Sequence, residues 1–181
     1  MTSSVVDPLQ TALRTTSLEL DPLGLDPIPE DTRQRFLRFK LSGENQTLLP
    51  LEVVVEVLQL EVVEILPVPE IPAYLLGVCS WRGEILWLVD IDVLVGHTPL
   101  WHQTPMLKQP TVIVVESGDR MVGLVVEQVD DVEMIAPETL HLPTELYSTA
   151  LAPFVMGYVP NHGGTVLDVD VIVERSLQAP P

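Results

Sequence analysis

The sequence has few aromatic residues and a single cysteine. Phe, Trp and Tyr make up 5% of its 181 residues, so the 46% hydrophobic fraction consists mainly of Val, Leu and Ile. Because β-branched side chains are stiff at χ1 and pack well on a pleated surface, this composition favours strands over helices. Cys79 alone allows no internal disulfide, so the cysteine content does not indicate secretion.

Basic residues and long apolar runs are also scarce. Nine Lys and Arg oppose 26 Asp and Glu, which gives a formal net charge of −17. Such a surface repels phosphate groups, which argues against nucleic acids and lipid headgroups as partners. The N-terminus lacks the basic and apolar segments of a signal peptide, and no apolar run approaches the roughly 20 residues of a membrane helix. We therefore expect a cytoplasmic protein without direct membrane insertion.

Composition divides the chain into three segments. Residues 1–33 contain three Asp-Pro-apolar triplets and are predicted to form a flexible acidic leader, with a docking peptide as the alternative. Residues 34–176 carry strand and turn patterns and are predicted to form the folded domain. Within it, residues 52–60 fit either a strand or one turn of helix. The C-terminal residues 177–181 are predicted to fray.

Strand–turn–strand patterns occur four times in the folded domain. In the first strand, Leu37, Phe39 and Leu41 share one face. Arg38 and Lys40 share the other face, so the alternation predicts a half-buried strand. The four predicted turns lie at residues 42–45, 82–83, 117–120 and 161–164.

The four hairpins form two matching pairs. A shift of 75 residues places Ser42-Gly43 on Ser117-Gly118, and a shift of 80 residues places Asp90 on Asp170. The chain is therefore predicted to be an internal duplication. Several short strands with Gly-containing turns indicate a small barrel in each half. The halves span about residues 34–96 and 110–176.

The common catalytic motifs are absent from the sequence. It contains no Gly-rich phosphate loop, no nucleophile elbow and no His-Glu-x-x-His zinc pattern. Asp90 and Asp92 are predicted on one face of a strand and could act as paired carboxylates near His97. Capping of a turn or helix by Asp explains Asp90 and Asp170 without chemistry. The alternative function is a small metal-binding or hydrolytic β-barrel protein that uses Asp90, Asp92 and His97. Cys79, in an apolar strand, is predicted to be buried and inert.

Arg82 is the most suggestive single residue. It lies in a predicted Arg82-Gly83 turn directly after Trp81. A planar cation with several donors, exposed beside an aromatic ring, can anchor an interface by pairing with a partner's carboxylate. The alternative is a solvated turn cation that balances a nearby acid such as Glu84. Composition does not distinguish these two roles.

The segment from Leu76 to Gly83, followed by the segment from Leu86 to Ile91, resembles the signature of the CheW-like family of chemotaxis adaptors. That signature has a Gly, apolar residues, an Arg-Gly turn, and then an apolar strand that ends in Asp-apolar. The segments 122–126 and 156–158 resemble later parts of the same domain. Trp81 is a departure, since the family commonly has Leu at this position.

The resemblance implies a mainly β fold of two interlocked SH3-like small β-barrels, related by the internal duplication, with a few short helices. It implies a non-catalytic scaffold without cofactor or metal. Such a scaffold couples the cytoplasmic tip of a methyl-accepting chemoreceptor to the regulatory domain of a histidine kinase, in chemotaxis, phototaxis or pilus-based motility. It would reach membrane receptor arrays only through these partners. The partner-binding positions that the resemblance implies are Val54, Glu56, Gly77, Arg82, Gly83 and Gly123.

Overall fold

The structure is a computed structural model that describes residues 31–42, 44–99, 109–142, 150–160 and 164–178. Residues 1–30 of the predicted leader and residues 179–181 of the predicted tail lie outside the described residues. The described strands are β1 Gln34–Leu41, β2 Glu44–Pro50, β3 Val54–Gln59, β4 Leu75–Trp81, β5 Glu84–Asp90, β6 Thr111–Ser117, β7 Arg120–Val126, β8 Gln128–Ile135, β9 Val155–Val159 and β10 Gly164–Leu167. The α-helices are α1 Ile91–Leu94 and α2 Val169–Leu177, and 3-10 turns occupy Leu51–Val53, Val62–Glu64, Pro137–Thr139 and Ala152–Phe154.

The strands form two five-stranded sheets, each with contributions from both halves of the chain. The first sheet has the order β8-β1-β2-β10-β9, and the second has the order β3-β6-β7-β5-β4. The pairs β5–β7 and β10–β2 are parallel, and the other pairs are antiparallel. The mainly β fold of two interlocked small barrels is thereby confirmed. The expectation of one barrel within each half is wrong, because β3 pairs with β6 and β8 pairs with β1.

The repeat is visible in the order of elements, since five strands and a helix occur twice. Asp90 caps α1 by accepting a hydrogen bond from the Val93 amide at 3.2 Å. Asp168 caps α2 in the same way, from the Val171 amide at 3.1 Å. Asp168, not Asp170, is therefore the counterpart of Asp90. The ungapped shift of 80 residues fails here because the β9–β10 hairpin is two residues shorter than the β4–β5 hairpin.

The second residue of each helix connects the two sheets. In α1, which follows β5 of the second sheet, Asp92 Oδ1 accepts a hydrogen bond from the Ser42 amide at 2.7 Å. Ser42 lies in the β1–β2 turn of the first sheet. In α2, which follows β10 of the first sheet, Asp170 Oδ1 accepts from Ser117 Oγ at 2.5 Å. Ser117 ends β6 of the second sheet. Each helix thus ties its own sheet to a hairpin of the other.

The hydrophobic core has three parts. A shared core between the sheets takes residues from both sheets and both helices, including Phe39, Leu124 and Ile172. A second cluster, with Leu88 and Val114, fills the barrel of the second sheet. A third cluster fills the barrel of the first sheet and consists of Phe36, Leu48, Ile135, Val159 and Val166. The strands between the shared core and a barrel interior are therefore buried on both faces.

Burial on both faces corrects the prediction for β1. Its Leu37, Phe39 and Leu41 lie in the shared core, but the opposite face is not simply exposed. Phe36 on that face is buried, and Arg38 is buried and forms an ion pair with Glu133 of β8. Of the two basic residues predicted on the solvent face, Lys40 is exposed. The apolar–polar alternation of the sequence does not reveal that the second face of β1, which carries Phe36 and Arg38, is also covered in the fold.

The ambiguous segment 52–60 is mostly a strand. A 3-10 turn at Leu51–Val53 leads into β3, which pairs with β6 in antiparallel register. Along β3, half-buried and exposed side chains alternate, as a strand requires. None of the helices in the described part of the chain has the length and apolar character needed to span a bilayer.

Candidate partner-binding surface

Three side chains bridge the two edges of the second sheet. β3 and β4 are its edge strands, at opposite ends of the strand order. Glu56 on β3 accepts hydrogen bonds at Oε2 from Trp81 Nε1 at 3.0 Å and from Arg82 Nη2 at 2.9 Å. The Arg82 guanidinium carbon lies 4.6 Å from the centroid of the Trp81 ring, in cation–π range. We call this group the Glu56–Trp81–Arg82 cluster.

The β4–β5 turn presents Arg82 to solvent. Trp81 pairs with Glu84 across the hairpin, so Arg82 and Gly83 are the two loop residues. Both have positive φ, +50° and +83°, which matches the type I′ turn that suits the twist of a hairpin. The Arg82 side chain is 63% exposed, and that of Glu56 is 38% exposed. The carboxylate that pairs with Arg82 is Glu56 and not the neighbouring Glu84 of the sequence-based alternative.

Gly77 lies near this cluster in the sheet but is buried. Its φ is +133°, and a Cβ added there would stand 2.2 Å from the backbone oxygen of Leu66. Leu66 forms a two-way backbone bridge with Val78, at 2.8 and 2.9 Å. A glycine is therefore needed for the chain before β4 to lie against this edge strand.

Gly123 and Val54, two further predicted partner-binding residues, contact the hydrophobic core. Gly123 is buried in the middle of β7, where an added Cβ would stand 2.7 Å from Val112 Cγ1 and 2.8 Å from Leu88 Cδ2. It therefore makes room for the barrel interior of the second sheet. Val54 is half-buried at the start of β3, packs on the shared core and lies two residues before Glu56. The structure thus brings Glu56, Arg82 and Gly83 together, and Gly123 lies in the same row across the sheet as Glu56, with Val114 of β6 between them.

Exposed apolar side chains in the described residues fall into two groups, one for each sheet. The second-sheet apolar group comes from β3, the segment that leads to β4, and β5. Its members are Val55, Val57, Val62, Val63, Leu66 and Ile85. The first-sheet apolar group comes from β8, the segment after it, and β9. Its members are Val132, Met134, Leu142 and Met156.

Of the three residues of the alternative function, Asp92 and His97 are in contact, whereas Asp90 caps a helix. Asp90 caps α1, whereas Asp92 lies inside that helix, so the prediction that both share a strand face is wrong. The Asp92 side chain is fully buried, binds the Ser42 amide and lies 3.2 Å from His97 Nδ1. Across the described ranges, no three His, Cys, Asp or Glu residues come together as a group that could hold a metal ion.

Cys79 lies in the barrel interior of the second sheet and is buried. Burial raises the pKa of its thiol because the thiolate would lose hydration, and the negative charge of Glu64 adds to the effect. A raised pKa lowers the thiolate fraction at neutral pH, and the thiolate is the reactive form. These properties favour a structural role for this cysteine.

The comparisons with known proteins agree with the fold. The family model of the CheW-like domain matches residues 35–176. The chain belongs to the CheW-like family.

The chemotaxis protein CheW of Rhizobium meliloti (strain 1021) is 28% identical over 105 residues, which are 58% of this chain and 65% of that protein. The probable chemotaxis protein CheW of Rhizobium etli (strain ATCC 51251 / DSM 11541 / JCM 21823 / NBRC 15573 / CFN 42) is 30% identical over 89 residues, 49% of this chain and 55% of that protein. The matched part therefore spans less than two thirds of these CheW relatives.

A solved CheW structure has the same fold. The crystal structure of the scaffolding protein TtCheW from Thermoanaerobacter tengcongensis superimposes with a TM-score of 0.65. The match covers 75% of this chain and 89% of that chain at 23% sequence identity. The likeness supports the architecture of two interlocked SH3-like barrels that the strand order shows.

Proposed function

We propose that this chain is a non-catalytic adaptor that couples a chemoreceptor to a chemotaxis-type histidine kinase. In this proposal it binds the cytoplasmic tip of the receptor and the regulatory domain of the kinase, and it acts in the cytoplasm. Membership of the CheW-like family supports this role. The Glu56–Trp81–Arg82 cluster is the observation that carries the proposal. It holds an exposed cation at the sheet edge on an otherwise acidic protein.

The apolar groups suit the binding of two partners. The second-sheet apolar group includes Ile85, which lies two residues after the Arg82-Gly83 turn and is 76% exposed. Apolar area with an arginine beside it is the usual composition of an interface hot spot. The first-sheet apolar group lies on the other barrel, so a second partner can bind without displacing the first. We propose that Val54, Glu56, Gly77, Arg82, Gly83 and Gly123 serve the receptor-binding surface, with the buried glycines supporting it.

A binding experiment with purified components tests the adaptor role. The probes are a receptor cytoplasmic-tip fragment and the kinase regulatory domain from the same organism, with binding measured by calorimetry and by co-elution. We expect both probes to bind the chain, separately and together. If the folded chain binds neither probe, the adaptor proposal is wrong.

Arg82→Ala tests the anchor within that experiment. We expect it to weaken binding of the receptor fragment about tenfold, a loss typical of a hot-spot residue, and to leave the fold intact because the side chain is exposed. Arg175→Ala is the matched control, since Arg175 is also exposed but lies on α2. Unchanged receptor binding by Arg82→Glu would contradict the anchor role.

A further inference from the structure

Trp81 occupies an unusual place for a large aromatic side chain. It ends β4 and packs partly on the barrel interior of the second sheet, yet its ring nitrogen reaches Glu56 on the opposite edge strand. Among the described strand pairs, β3 is hydrogen-bonded to β6 and β4 to β5. The indole N–H therefore connects two strands that do not share a backbone ladder.

The geometry of the cluster restrains both of its charged groups. Glu56 Oε2 accepts from Trp81 and from Arg82, so two donors fix the direction of one carboxylate oxygen. The Trp81 ring face, 4.6 Å from the guanidinium carbon, limits the position of Arg82 on the other side. An exposed Arg–Glu pair without such a third contact loses much of its benefit to side-chain entropy and to screening by salt.

The restrained guanidinium keeps donors for a partner. Arginine carries five N–H groups in a planar fork, and the contact with Glu56 uses Nη2. Nη2 has a second N–H, which can act together with the N–H of Nε or of Nη1 to donate two parallel hydrogen bonds to a planar anionic group, and a carboxylate is the side-chain group of this kind on a protein partner. Pre-organising the cation lowers the entropy that binding would otherwise cost.

We propose, on the basis of the proposed receptor binding, that Trp81 is a positioning residue that orients Arg82 for an acidic side chain of the receptor. Trp81 acts through Glu56 and Arg82. A leucine at position 81 would offer neither an N–H donor nor a ring face. The cluster therefore makes this surface selective for a partner whose carboxylate matches the restrained cation.

Three variants separate positioning from packing. Trp81→Leu keeps apolar volume at the barrel but removes the donor and the ring, and we expect it to bind the receptor fragment roughly tenfold more weakly. Trp81→Phe keeps a ring face and removes only the donor, so its affinity should lie between those of Trp81→Leu and the native chain. In the Trp81→Leu background, Arg82→Ala should cause little further loss. Thermal unfolding of each variant verifies that it is folded.

The partner's chemistry is tested by replacing each Glu of the receptor fragment with Gln. We expect one replacement to weaken binding to the native chain and to have almost no effect on binding to Trp81→Leu. Equal binding by Trp81→Leu and the native chain, or full additivity of Trp81→Leu and Arg82→Ala, would overturn the positioning role and leave the adaptor proposal standing. Failure of the native chain to bind the fragment would overturn both.

The cluster itself has a readout that needs no partner. The indole N–H of Trp81 should exchange slowly with solvent in nuclear magnetic resonance spectra of the free chain, because it donates to Glu56. Glu56→Ala should accelerate that exchange. Fast exchange in the native chain would show that the donor is not engaged and would overturn the inference.

Discussion

Two glycines of the β4–β5 hairpin, Gly77 and Gly83, differ in what surrounds them. Gly77 and Gly83 both have positive φ, which disfavours any residue with a Cβ. An added Cβ at Gly77 would meet the Leu66 carbonyl oxygen at 2.2 Å, whereas one at Gly83 would meet nothing within 4 Å. The two positions therefore separate the effect of a steric clash from that of an unfavourable backbone angle.

Gly77→Ala should lower the free energy of unfolding by about 3 kcal/mol, because it adds both an unfavourable φ and a contact with backbone that cannot move independently. Gly83→Ala should cost only about 1 kcal/mol, from the backbone angle alone. Chemical denaturation of the purified variants measures both values. Equal losses for the two variants would show that the Leu66 segment moves away freely.

At the residue scale, the sequence names individual residues but not the contacts between them. The family resemblance implies Glu56, Arg82 and Gly83 as partner-binding positions, which stays a prediction, and the structure shows that Glu56 and Arg82 are in contact. The contact between Glu56 and Trp81 spans 25 positions and was missed. Sequence spacing offers no signal for it, because it depends on how the sheet curls to bring β3 near β4.

At the scale of secondary-structure elements, the two helices show which residues of the two halves correspond. Asp168 caps α2 through the Val171 amide, and Asp170, two residues later, contacts Ser117. A side-chain acceptor at the N-cap satisfies an amide that has no partner inside the helix. The capping position, rather than simple residue shift, identifies equivalent residues in the two halves.

Asp168→Ala should therefore lower the free energy of unfolding by about 1 kcal/mol, the usual cost of losing an N-cap. Asp170→Ala should cost less, about 0.5 kcal/mol, because Asp170 is exposed and its contact with Ser117 can be replaced by water. Thermal or urea unfolding measures the difference. A larger loss for Asp170→Ala would contradict this ranking and show that the contact with Ser117 contributes more than the N-cap.

The hairpins were predictable because turn residues and apolar alternation act over a few positions. The predicted turns at residues 82–83 and 117–120 match β4–β5 and β6–β7. The strand β1 was only partly predictable. Its alternation marks one buried face, but burial of Phe36 and Arg38 depends on β8 and β2, which lie on either side of it.

For the whole molecule, the exchange of strands makes each half dependent on the other. Without the second half of the chain, four strands of the first half would lose a hydrogen-bonded neighbour. These losses are β8 for β1, β10 for β2, β6 for β3 and β7 for β5. Unpaired strands expose backbone groups and apolar faces to water. The shared core also takes residues from both halves.

A fragment of residues 31–99 should therefore not fold alone, and neither should residues 109–181. Mixing the two should restore β structure, because the missing neighbours are then supplied. Circular dichroism and thermal unfolding of the separate and mixed fragments measure this. A cooperative unfolding transition in either isolated fragment would contradict the prediction.

Local chemistry explains what could be known before the structure. Val-rich alternation, Gly-containing turns and the duplication are properties of short segments, and they were enough to indicate a mainly β protein of two related halves. Strand exchange, the two-sided burial of β1 and the Glu56–Trp81–Arg82 cluster required the fold. These features depend on contacts between residues that are far apart in the chain. Which strands and side chains come into contact is decided by the apolar surfaces that can be buried together, and not by the sequence next to each residue.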